Sequence, residues 1–152
     1  MDAVAVAELR LENSTLSYRN EQGQTRWELS VSDLVLIAEY TTNEGPWCDD
    51  YFLVFWTREN GQLFRSGCPL TGNSSAAFAE IGIALGDEFH LGLLNSTEWK
   101  SRVVWPSELA GEDYFTFTKA LTEKWLTSLW YRMTEVQEYR PSALVMDFLD
   151  RL

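Results

Sequence analysis

Asp49-Asp50-Tyr51-Phe52-Leu53-Val54-Phe55-Trp56-Thr57-Arg58-Glu59-Asn60-Gly61-Gln62-Leu63-Phe64-Arg65-Ser66 contains an apolar aromatic run, an Asn-Gly pair and a second, shorter run. Both central residues of a type I′ turn need positive φ, which Asn and Gly tolerate best, so the stretch predicts a β-hairpin turning at Asn60-Gly61. Side chains alternate along a strand, so Tyr51, Leu53 and Phe55 share one face while Phe52, Val54 and Trp56 share the other. Both faces are apolar, and the strand is therefore expected to be buried on both sides.

The register of this hairpin also bears on the two cysteines. A two-residue loop sets position 53 opposite Cys68, leaving Cys48 about five residues, or roughly 16 Å, further along the strand, beyond disulfide reach. Two free thiols are expected, each a small buried apolar group rather than a reactive or metal-binding one.

Upstream, Val4 to Leu11, Thr15 to Asn20 and Thr25 to Val31 alternate apolar and polar residues, predicting a three-stranded antiparallel meander. Leu34 to Thr42 is a near-continuous run with β-branched residues that suits a further central strand. Gly45-Pro46 marks the loop leading into the hairpin.

Downstream of Cys68-Pro69 the character changes. Asn73-Ser74-Ser75 offers N-cap side chains, Phe78, Ile81 and Leu85 share one face, and Gly86 is placed as a C-cap, predicting a short helix whose Gly82 marks close packing on the sheet. Phe89, Leu91 and Leu93 alternate, Trp99 to Trp105 reads as a strand ending at Pro106, and Tyr114 to Thr118 suits a last strand or a first helical turn. Lys119 to Tyr139 has a helical stripe through Leu121, Trp125, Leu129 and Met133; after Pro141 a second stripe runs through Leu144, Val145, Phe148, Leu149 and Leu152.

These elements predict a single α+β domain over residues 1–152. They suit a strongly bent, mostly antiparallel sheet or partly open barrel of about six to eight strands, with one short helix and a long C-terminal helix. The element order is broadly similar to a pleckstrin-homology-like barrel closed by its C-terminal helix, from which the helix between strands and the extra terminal helix depart.

The 152 residues carry 23 acids against 12 bases, a formal charge of −11, which repels phosphate backbones and anionic headgroups, so neither nucleic acid nor a membrane surface is an expected partner. Met1 to Glu8 has neither the positive n-region nor the apolar segment of a secretory signal, and no stretch has transmembrane length, so a soluble cytoplasmic protein is expected.

His90, the only histidine, sits between Phe89 and Leu91 with no partner legible nearby; a partly buried structural residue is the favoured reading over a general base. Three Cys and His in total, without paired spacing, do not suit zinc. Asp49-Asp50, preceded by Glu44, is the best local set for an oxygen-bound cation, although solvation of a sticky strand end explains it more simply. No metal or other cofactor is expected.

Trp47, Trp99 and Trp105 lie beside loops or prolines, where tryptophan lines pockets or anchors interfaces. Together with Asp49, Asp50 and His90 they form the candidate ligand or partner site. No catalytic residue is assigned. The expected function is a non-enzymatic binding or protein-interaction module with a protein partner, or self-association into a homodimer through the stripe after Pro141. The alternative is a small-molecule enzyme with an acidic, aromatic-lined pocket.

Overall fold

The computed structural model describes residues 5–42, 51–93, 100–115 and 141–152. They belong to two compact units, Met1–Glu112 and Asp113–Leu152, taken here in turn.

The first unit opens with the meander β1 (Glu8–Glu12), β2 (Thr15–Arg19) and β3 (Thr25–Ser30), a three-stranded antiparallel sheet in the order β1-β2-β3. Asn13 and Ser14 both take positive φ to turn β1 into β2. Leu9 faces Tyr18 across the first pair and Leu16 faces Leu29 across the second. A 3-10 turn over Val31–Asp33 then interrupts the ladder.

Beyond that turn, β4 (Leu34–Thr41), β5 (Tyr51–Glu59), β6 (Gln62–Pro69) and β7 (Lys100–Trp105) form a second antiparallel sheet in the order β6-β5-β4-β7. The hairpin turns at Asn60 (φ 50°) and Gly61 (φ 80°), the backbone that the Asn-Gly pair requires. Its register sets Leu53 opposite Cys68 and Trp56 opposite Arg65, as the two-residue loop predicts. Cys68 is free and buried; Cys48 lies outside the described residues.

The single bent sheet expected from the sequence is thus corrected to two sheets, of three and four strands. Among the described residues neither closes into a barrel. The cause is local: the 3-10 turn redirects the chain after β3, so β4 pairs with β5 and β7 instead of extending the meander.

The central strand is buried on both sides as its sequence predicts. Tyr51, Leu53 and Phe55 enter the core; on the other face Val54 is buried while Phe52 and Trp56 are half-buried. The core gathers Leu9, Leu16 and Leu29 from the first sheet, Ile37, Leu53 and Phe55 from the second, and Phe78 and Ile81 from helix α1 (Ser74–Leu85). Ring contacts link Tyr18, Trp27, Phe55, Phe78 and Phe89 in series, with successive centroids 5.5 to 6.1 Å apart. Each fully buried side chain of this size stabilises the fold by about 1.5–3 kcal/mol relative to exposure.

Helix α1 ends on Gly86 in the left-handed conformation (φ 68°), as predicted. Its start differs from expectation. Asn73 holds the N-cap position, but its amide reaches across to β1, accepting from Leu9 N at 3.1 Å and donating to Leu9 O at 2.5 Å. Gly82 is also corrected: its missing Cβ would lie 2.8 Å from the Asp87 carbonyl oxygen, so it admits the helix's own exit turn and not the sheet.

In the second unit, Phe115 bridges Pro141 in antiparallel fashion, and Ser142 N donates to Tyr114 O at 2.7 Å. The strand or helical turn expected at Tyr114 to Thr118 is, in its described part, this single bridge. Ser142 Oγ caps helix α2 (Ala143–Asp150) by accepting from Val145 N. Val145, Phe148 and Leu149 are buried, whereas Leu144 and Leu152, assigned to the same stripe, are exposed. The long helix expected over Lys119 to Tyr139 lies outside the described residues.

Candidate functional site

Two charges interrupt otherwise apolar strands, and the site is built on them. Glu39 lies in the middle of β4 and is fully buried; Arg102 stands directly opposite it on β7. A buried carboxylate is costly unless its oxygens are satisfied, and here both are. Arg102 Nε donates to Glu39 Oε1 at 2.8 Å, Gly92 N donates to the same oxygen at 2.8 Å, and the Tyr51 hydroxyl donates to Oε2 in a very short hydrogen bond. Burial, reinforced by the hydrogen bond and charge of Glu39, holds the Tyr51 hydroxyl well above its ordinary pKa, so it remains a donor.

Arg102 has a second task. One of its terminal nitrogens donates to the His90 carbonyl at 2.5 Å. The segment 87–93 is thereby fastened at two points, His90 O and Gly92 N, to an ion pair between strands. A Cβ on Gly92 would sit 2.5 Å from Arg102 Cζ, so only glycine lets the guanidinium lie against the backbone. The alternation of Phe89, Leu91 and Leu93 suggests a strand, but the segment is not one. All three half-buried side chains pack on the core while the Gly92 amide goes to a carboxylate.

Between this strap and α1 lies an open groove of about 670 Å³. Phe78 and Phe89, in edge-on contact with centroids 5.7 Å apart, contribute its aromatic surface. Ile83, 83% exposed, stands on its helical side, and Asp87, Glu88 and His90 supply its polar groups; neither lysine nor arginine lines it.

Of the residues assigned from sequence, the groove includes His90 alone. The structure corrects the reading of that histidine as partly buried: its side chain is 82% exposed, and Nε2 lies 3.7 Å from the equally exposed Glu88 Oε1. Such a solvated pair is weakly held and fixes no proton path. Trp105 is half-buried against the core of the first unit and does not line the groove. Trp47, Asp49, Asp50 and Trp99 lie outside the described residues.

Glu39, Arg102, Tyr51 and Gly92 escaped the sequence reading. A signal was present: a lone acid inside Leu36-Ile37-Ala38-Glu39-Tyr40 and a lone base before Val103-Val104-Trp105 both predict charges that need buried partners. Among the described residues no three His, Cys, Asp or Glu side chains are grouped to hold a metal ion, and no helix is long and apolar enough to cross a membrane.

No protein-family model matches the chain, and no curated protein or solved structure matches it.

Proposed function

We propose that this chain is a protein-interaction module whose groove between α1 and the 87–93 strap receives an apolar side chain flanked by basic residues of a partner. The observation that carries the reading is the groove itself: an aromatic surface from Phe78 and Phe89, an exposed Ile83, and a rim whose charged side chains are acidic. Its volume is sufficient for one or two large side chains. The acidic rim and the chain's charge of −11 favour a basic flank and steer its approach.

The strap's attachment supports a preformed site. Fastening His90 O and Gly92 N to the Glu39–Arg102 pair reduces the ordering that binding would otherwise require.

Fluorescence anisotropy with labelled peptides carrying one Phe or Leu between lysines tests the proposal. Wild-type protein is expected to bind them, and Ile83→Lys and Glu88→Lys, both at exposed positions, are expected to weaken binding about tenfold without altering thermal stability. Equal binding by wild type and both variants, or binding by none, overturns it. Loss of binding in Ile83→Lys with a lowered melting temperature is resolved by Glu88→Lys, whose position carries no packing.

A further inference from the structure

The hydrogen-bond phase of the hairpin leaves one edge of the four-stranded sheet open. Glu59 and Gln62 flank a two-residue turn and so form a mutually hydrogen-bonded pair; every second pair after it repeats that state. The Leu70 N to Tyr51 O bond at 2.8 Å confirms the phase at the far end. Leu63, Arg65, Gly67 and Pro69 therefore direct their backbone groups away from β5. The bond from Trp27 Nε1 to Gly67 O, at 2.9 Å, approaches from that outer side.

β6 is an edge strand, and Trp27 and the missing N–H of Pro69 close only its end. Among the described residues, the backbone groups of Leu63 and Arg65 and the N–H of Gly67 have no partner. The side chains beside this opening are unusual for so acidic a chain. Arg65 lies opposite Trp56 and Arg58 opposite Leu63, so both arginines occupy one face, and among the described residues neither forms an ion pair. Phe64, 46% exposed, occupies the other face.

We infer that β6 docks an extended segment of a partner protein in which acidic and apolar residues alternate. The segment's backbone pairs with Leu63, Arg65 and Gly67, its acids meet Arg58 and Arg65 on one face, and an apolar side chain covers Phe64 on the other. A second copy fits less well, because antiparallel pairing centred on Phe64 gathers four arginines on one face of two chains that each carry −11. The surface is separate from the groove and does not depend on its reading.

The test uses the whole chain and a labelled peptide alternating glutamate with valine, beside two controls: lysine in place of glutamate, and N-methylation of every second amide. Binding of the parent peptide is expected to protect the Leu63, Arg65 and Gly67 amides from hydrogen exchange. Either control peptide, or Arg65→Glu in the protein, is expected to weaken binding about tenfold or more, while Ile83→Lys leaves it unchanged. Failure of the parent peptide to bind, binding without protection of those amides, or equal binding by both controls overturns the inference. So does protection of the same amides in a dimer of the free protein, which would give the edge to a second copy.

Discussion

Arg102 faces Glu39 across the β4–β7 pair and holds it at 2.8 Å, yet the two ends differ in burial: the Glu39 side chain is fully buried and that of Arg102 is 28% exposed. Removing one partner of a buried pair leaves the other uncompensated, so the cost depends on which one remains. Arg102→Met leaves a carboxylate with no access to water and is expected to destabilise by about 3–5 kcal/mol. Glu39→Gln leaves a cation that water can reach and keeps an acceptor for Gly92 N; about 1–3 kcal/mol is expected. Urea unfolding of both variants checks the order.

The same guanidinium excludes a side chain at Gly92. Gly92→Ala is expected to displace Arg102 from Glu39 and His90 O at a cost of about 1–3 kcal/mol. Much of that cost should vanish once Arg102 is already alanine. A double-mutant cycle measured by urea unfolding reads the coupling, and strict additivity would show that the two residues act separately.

Asn73 ties the start of α1 to β1 through both halves of its amide. Asn73→Asp preserves the acceptor for Leu9 N but sets a carboxylate oxygen against Leu9 O; Asn73→Ala removes both bonds. Each is expected to lower stability by about 1–3 kcal/mol, with the aspartate variant no better than alanine. Were this an ordinary helix cap, aspartate would substitute well, so melting temperatures of the two variants discriminate.

Two glycines with open space around them separate conformation from packing. Gly61→Ala forces an L-residue to φ 80° and is expected to cost about 1–2 kcal/mol. Gly72→Ala, where no positive φ is required, is expected to be neutral or to stabilise slightly through the unfolded chain. Denaturant midpoints of the pair check this.

Burial pushes the Cys68 thiol from its ordinary 9.0 up to about 12. Its folded pKa lies above its unfolded one, so the neutral thiol's contribution is complete below pH 9 and is lost as pH rises through that interval. Between those limits the unfolded chain has released the proton and the folded chain has not, and Cys68 alone subtracts up to about 1.4 kcal/mol per pH unit. Tyr51, also shifted upward by burial, acts in the same direction. Unfolding midpoints across this range should fall less steeply in Cys68→Ala. In a Cys48→Ser background the native thiol should resist alkylation near neutrality.

Local chemistry decided much of the fold. Asn60-Gly61 set the hairpin and, through its register, the positions of Cys68 and Arg65, because a two-residue turn admits one pairing. Alternation fixed the meander, and Gly86 fixed the end of α1, since both are consequences of short-range backbone geometry. Glu39 and Arg102 were visible as charges out of place, but their partnership joins residues 63 positions apart, and no local rule pairs a strand with another that distant.

Tertiary structure alone decided the rest. The 3-10 turn at Val31–Asp33 divided one expected sheet into two. The core contacts of Phe89, Leu91 and Leu93 laid a strand-like segment down as a strap, and His90 was left in solvent on its outer side. These outcomes depend on which surfaces meet. The sequence by itself determined how each segment bends; where its side chains come to rest was settled by packing between segments far apart in the chain.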